Sequence, residues 1–192
     1  MSTQKIQTII ESSIAVKQQY VSDAAFLEKI NTAVTLVATA FKNGFKVQFC
    51  GNGGSAADAQ HLAAEFSGRF YKNRKALPSD ALHCNSSYLT AVANDYSYND
   101  IYSRLVEGTM HKGDVLIGMS TSGNSGNIVK AFEMAKTMGI VTIGFTGAAG
   151  GKMSDLSDVL LNVPSTDTPR IQESHILIGH IICELVEAQL FA

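Results

Sequence analysis

A chain of 192 residues is long enough to bury a sizeable core and short for two domains of ordinary size, so one domain is expected over 1–192. Hydrophobic residues make up 45% and charged residues only 17%, which implies that much surface is covered inside the fold or at subunit contacts. The formal charge of -2, with no basic cluster interleaved with aromatics, argues against a nucleic-acid partner.

The first twenty residues mix isoleucines with Gln, Lys, Glu and Ser and lack a signal-peptide h-region. No run reaches the ~18 consecutive apolar residues of a membrane span, so no membrane partner and a cytoplasmic location are expected. Cys50, Cys84 and Cys183 are odd in number and far apart in apolar surroundings. They predict buried reduced thiols in place of a disulfide frame or a CxxC metal site.

Two consecutive amphipathic helices open the chain, over 2–21 with Ile6, Ile9, Ile10 and Ile14 in register, and over 22–42 with Phe26, Leu27, Ile30, Val34, Leu36 and Val37. This pair, within 1–44, either covers a sheet or packs against another subunit. A strand is predicted over 45–50, a helix from Ser55, a short strand near 81–84, and helical segments near 88–92 and 101–110. Strands at 115–119, 141–145 and 159–163 follow, separated by a helix over 127–138 and a helical turn near 152–156. The last helix starts with Thr168 as N-cap and Pro169 at N1, and carries isoleucines at helical spacing through Val186. Such punctuation describes an α/β fold: a central five-stranded, mostly parallel sheet flanked by helices, with two helices at the N-terminus.

Two strand-to-helix turns carry the chemistry. In the first, Gly51-Asn52-Gly53-Gly54-Ser55, the glycines let a ligand approach the backbone, free N–H groups at the helix start favour an anion, and Ser55 can cap the helix or donate to that anion. In the second, Ser120-Thr121-Ser122-Gly123-Asn124-Ser125, hydroxyls crowd the end of a buried strand, where open α/β sheets bind phosphate. The bland alternative is a polar turn with Ser125 capping a helix. A Walker lysine is absent from both turns, and the first lacks the full GxGxxG fingerprint and a ribose-binding acid, which disfavours a nucleotide.

His61 and Glu65 are four residues apart and share one helix face, so both can reach one ion or substrate atom. On the last helix Gln172 and His180 are eight residues apart, ~80° around the axis, and so can turn toward one cleft. His175 competes with His180, and either could equally be a hydrogen-bonded core residue. Imidazole, carboxylate and amide oxygen together suit zinc better than magnesium.

The segments GNGGSAADAQHLAAE from Gly51, AND from Ala93, STSGNS from Ser120 and RIQESHILIGHIICELVE from Arg170 resemble the phosphoheptose isomerases, a branch of the sugar isomerase (SIS) domain proteins, over essentially the whole chain. The resemblance implies conversion of sedoheptulose 7-phosphate to D-glycero-D-manno-heptose 7-phosphate through an enediol, the first step toward ADP- or GDP-heptose for lipopolysaccharide core or capsule. It implies Glu65 as base with His180 as acid-base partner, and one Zn2+ per subunit held by His61, Glu65, Gln172 and His180. Asn52, Gly53, Gly54, Asn94, Asp95 and Gln172 would contact the sugar, with Ser55, Ser120, Thr121, Ser122 and Ser125 on the phosphate. It further implies a homotetramer with active sites at subunit contacts. The alternative is a non-catalytic relative of the same fold that binds a sugar phosphate or regulates replication initiation; a full set of His61, Glu65, Gln172 and His180 argues against it, because a binding module needs no base.

Overall fold

The computed structural model describes residues 2–191. Its sheet has five strands: β1 (Val47–Gly51), β2 (Ser79–Ala81), β3 (Val115–Met119), β4 (Val141–Thr146) and β5 (Val159–Asn162). They lie in the order β2-β1-β3-β4-β5 and every pairing is parallel. Around them run α1 (Thr3–Val21), α2 (Ala24–Lys42), α3 (Gly54–Ser67), α4 (Ser86–Asp95), α5 (Ile101–Thr109), α6 (Gly126–Thr137) and α7 (Thr168–Leu190), with 3-10 turns at Tyr98–Asp100 and Gly151–Leu156.

Period-two alternation sorts the strand residues between two apolar layers. Val47, Phe49, Val115, Ile117, Ile143, Phe145 and Leu161 face the layer built by α2, α3 and α7, while Cys50 and Leu116 face that of α5 and α6. With helices on both faces, β3 is buried at all five positions. Gly118 has no room for a side chain, since a Cβ there would stand 2.4 Å from the Phe132 ring.

The α2 helix is long and apolar enough by composition to cross a bilayer, with mean hydropathy 1.2. Its apolar face is instead in the core, where Phe26, Ile30, Val34, Val37 and Phe41 are buried. In α1 only Val16 and Tyr20 are buried, and Ile6, Ile9, Ile10 and Ile14 remain 48–55% exposed.

Several expectations are corrected. The first strand starts two residues later than its apolar pattern and ends one later, with Phe45 packed beside the core from the turn. The second is the edge strand Ser79–Ala81, because Leu82 to Asn85 already turn into α4, whose start Asn85 caps by accepting from Tyr88 N at 3.0 Å. Thr168 is the first residue of α7 and Asp167 its N-cap. Cys84 is exposed, whereas Cys50 and Cys183 are buried, and all three are free.

Candidate active site

The order of strands reverses between β1 and β3, and ligands of open α/β sheets bind at such a point, beyond the carboxyl ends. Gly51 of β1 pairs with Met119 of β3, so the glycine turn and the serine turn emerge side by side. Gly53, the N-cap of α3, has φ +56° and ψ -120°, a conformation that excludes L side chains. Gly54 is needed for a different reason: a Cβ there would stand 2.6 Å from Gln172 Nε2. Ser55 does not cap α3; it lies inside the first turn, 4% exposed, with its N–H donating to Asn52 O at 3.0 Å.

An amide pair locks the two turns together. Asn52 Nδ2 donates to Asn127 Oδ1 and Asn127 Nδ2 donates back to Asn52 Oδ1, both at 2.8 Å. Tyr98 Oη also donates to Asn52 Oδ1 at 3.1 Å, and Tyr102 Oη donates to Gly51 O at 2.5 Å. Asn127, Tyr98 and Tyr102 were not foreseen from the sequence. The available signal for Asn127 was a polar residue in the first turn of a helix whose inner face is otherwise apolar, and it is 2% exposed.

In the serine turn, Ser120 is 4% exposed and its hydroxyl is 2.8 Å from that of Ser125. Ser125 is the N-cap of α6, yet its side chain makes no capping bond and faces Ser120 instead. The Gly126 and Asn127 N–H groups at the start of α6 therefore keep their capacity to donate to a ligand, whereas that of Ile128 donates to Asn127 Oδ1 at 3.0 Å. Ser122 Oγ accepts from Asn124 N at 3.1 Å, which shapes the turn. Thr121 and Ser122 border a cleft of about 290 Å³ that Ser165, Thr166 and Thr168 also line. Ser165, Thr166 and Thr168 thus form the opposite wall. The turn is neutral, made of hydroxyls and backbone groups, a donor set that suits an anion such as a phosphate.

Helices α3 and α7 run side by side in the same direction: Gly54 meets Gln172, His61 meets His180, and a Cβ on Gly179 would meet Leu62. This brings together three of the predicted ligands. His61 Nε2 is 3.0 Å from His180 Nε2 and 3.1 Å from Glu65 Oε1, and the three donor atoms lie within 4.8 Å of one another. Two Nε2 atoms this close cannot both carry a hydrogen, so at least one lone pair points inward beside the carboxylate. Ligand atoms on a tetrahedral zinc at bonds of 2.0–2.1 Å stand about 3.3 Å apart, and the donor set fits such an ion. The His61 side chain is 49% exposed, so the cluster opens to the surface of the protomer.

Gln172 stands two turns before His180 on α7, with its amide against Gly54, at the junction of the trio and the glycine turn. Asn94 Nδ2 donates to Asp95 Oδ1 at 2.9 Å at the end of α4, and neither side chain is hydrogen-bonded to the two turns among the described residues. His175 is fully buried and pairs its Nε2 with Thr146 O at 3.1 Å. Burial pushes its imidazole down to about 4, against the opposing pull of the Thr146 bond, so it is a neutral core residue and the cluster histidine is His180. Asp58, one turn before His61, is a further neighbour that the sequence reading missed. Burial raises its carboxyl, and the nearby His61 and His180 act in the opposite direction.

The family model described as SIS domain matches residues 10–147. The phosphoheptose isomerase of Clostridium acetobutylicum is 54% identical over 186 residues, 97% of this chain and 95% of that protein. The solved phosphoheptose isomerase of Neisseria gonorrhoeae superposes with a TM-score of 0.90 at 39% identity, covering 96% of this chain and 98% of that one. That of Francisella tularensis gives a TM-score of 0.92 at 33% identity, covering 98% and 100%. By fold, family model and identity over nearly its whole length, the chain belongs to the SIS-domain family, in its phosphoheptose isomerase branch, and is an isomerase.

Proposed function

We propose that the chain converts sedoheptulose 7-phosphate to D-glycero-D-manno-heptose 7-phosphate through a 1,2-enediol. The observation that carries this reading is the convergence of His61, Glu65 and His180 along α3 from the two neutral, donor-rich turns. Gly54 and His61 are seven residues apart on one helix, a rise of ~10 Å, which suits a sugar phosphate lying along α3 with its phosphate on the serine turn.

In this mechanism Ser120, Thr121, Ser122, Ser125 and the start of α6 hold the phosphate, with Ser55 as accessory, while Asn52, Gly53, Gly54, Asn94 and Asp95 bind sugar hydroxyls. Glu65 removes the proton from C1 of the ketose as His180 gives one to the C2 oxygen, which yields the enediol. His180 takes the proton from O1 as the C1 carbonyl forms, and Glu65 returns its proton to C2. Water is not consumed, and no redox partner is needed. His61, Glu65, Gln172 and His180 would hold a zinc ion, whose chemistry there is to polarise the oxygens on C1 and C2. A carboxylate fixed on a metal is a weaker base, so the ion would act there mainly in positioning while Glu65 moves the proton.

The product would be the first intermediate toward ADP- or GDP-heptose for lipopolysaccharide core or capsule, formed in the cytoplasm, where a charged sugar phosphate is retained. The exposed isoleucines of α1 and the half-exposed His61 support a homotetramer whose subunit contacts close the sites, with 1–44 serving the assembly and 1–192 folding as one domain.

The test is incubation with sedoheptulose 7-phosphate in deuterated water, followed by NMR of C1 and C2. Product carrying solvent deuterium at C2 is expected, and Glu65→Gln should abolish both turnover and exchange. Neither product nor exchange at high enzyme concentration would refute catalysis and leave the non-catalytic binding role.

A further inference from the structure

The two helices that carry the trio are tied together again, beyond it. Glu187 stands seven residues past His180 on α7 and is 2% exposed. Its Oε1 accepts from the backbone N–H groups of Tyr71 and Lys72, both at 2.8 Å, and its Oε2 from Phe70 N at 3.1 Å and Arg74 Nε at 2.8 Å. Burial acts to raise this carboxyl, but the three N–H groups and the guanidinium outweigh it and hold it below the ordinary carboxylate range.

The rest of the Arg74 guanidinium goes to the end of α3. Nη2 donates to Glu65 O at 2.8 Å, and Nη1 donates to Phe66 O at 2.8 Å and to Gly68 O at 3.2 Å. These carbonyls belong to the turn in which α3 runs out of internal donors, so the arginine caps the helix through its side chain. The Arg74 and Glu187 side chains are 2% and 3% exposed.

A buried ion pair is a poor device for stability alone, because desolvation offsets most of its attraction and apolar packing does as well. Its placement points to a geometric task. Arg74 grips the main chain of Glu65 itself, and Glu187 is on the helix that carries His180. A slide or rotation of α3 against α7 would strain this brace and pull His61, Glu65 and His180 out of convergence together.

We propose that the Arg74–Glu187 pair is a positioning device for the acid-base and metal centre, fixing the axial register of α3 on α7 so that the three donor atoms meet. The proposal rests on the reading that these three residues hold a metal and that Glu65 moves the proton. Neither Arg74 nor Glu187 touches substrate; both act through Glu65 and His180. The serine turn that holds most of the proposed phosphate contacts lies between β3 and α6, outside the brace, so capture of substrate should largely survive its loss while chemistry should not.

The test uses the full chain with Arg74→Lys and Glu187→Gln. Zinc affinity is measured on the metal-stripped protein by competition with a chromophoric chelator, kcat and KM on the zinc-loaded protein, and folding by circular dichroism. Both variants should bind zinc 10–100-fold more weakly, as loss of supporting contacts around a metal site does, and should lose kcat by about tenfold or more with KM within twofold. Should Glu187→Gln fail to fold, Arg74→Lys decides, since it keeps the charge opposite Glu187 and removes only the fork that grips Glu65. A folded Arg74→Lys with wild-type zinc affinity and wild-type kcat would overturn the proposal. A wild-type chain that binds zinc but leaves the heptulose phosphate unchanged would instead overturn the function reading, and the zinc affinities alone would then decide the brace.

Discussion

His175 gives the most quantitative forecast, because its neutrality follows from its place in the core. The unfolded chain takes up a proton at this residue below pH 6.5, while the folded chain resists until about 4. Between those values the unfolded state binds more protons, so stability falls as pH falls and levels off below about pH 4. The full span corresponds to about 3 kcal/mol at about 1.4 kcal/mol per pH unit, of which about 2 kcal/mol is lost by pH 5. Urea unfolding of wild type and of His175→Gln, each in chelator at pH 7.5 and 5.0, isolates this contribution from the other titrating groups. The glutamine retains an N–H for Thr146 O and cannot protonate, so the stability gap between the two proteins should narrow by about 2 kcal/mol on acidification. Isomerase turnover should persist in the variant. An unchanged gap would refute the assignment of a neutral buried imidazole.

Gly53→Ala forces a side chain into φ +56° and should lower stability by about 1–3 kcal/mol, seen as a drop in the melting temperature; an unshifted melt would show that the turn relaxes freely. Gly54→Ala tolerates its backbone but displaces the Gln172 amide, so turnover should fall about tenfold with little change in melting temperature, and unaltered kinetics would remove Gln172 from the site. Ile10→Asp lies on an exposed face of the protomer and should cost the isolated fold less than about 0.5 kcal/mol while shifting sedimentation to smaller species. A variant that sediments as wild type would discard α1 as an assembly surface.

The parts of this molecule readable in the sequence are those where one physical requirement dominates. β3 announces itself because burial on both faces leaves five apolar or small residues in a row, and α7 because its isoleucines hold helical spacing over many turns. β2 is obscure because a three-residue edge strand is defined by its pairing to β1 and has no pattern of its own. At the site, the spacing of His61 and Glu65 puts two side chains on one helix face, and their role was legible only together with the neighbouring turn and the resemblance to the phosphoheptose isomerases. Gln172 and His180 are separated by ~80° and ~12 Å of rise along α7, and only the fold shows that the Gln172 amide lies against Gly54, at the glycine-turn end of α3. The choice between His175 and His180 was open in the residues themselves, because which face of α7 meets the sheet is a tertiary fact. Asn127 and the Arg74–Glu187 brace escaped for the same reason: each acquires meaning from a partner more than seventy residues away.

The neutral serine turn is on a loop at the rim of the sheet, while His61, Glu65 and His180, the groups proposed to move the proton, are on the flank of two helices running away from it. On the proposed reading, most of the phosphate's capture and the proton transfer therefore have separate structural supports. Changes confined to the α3–α7 flank can extinguish the chemistry and leave a receptor for the same phosphorylated sugar, and changes at the rim can retune which sugar is admitted without rebuilding the acid-base centre. Such a division lets a single scaffold drift between enzyme and sensor through a handful of side chains.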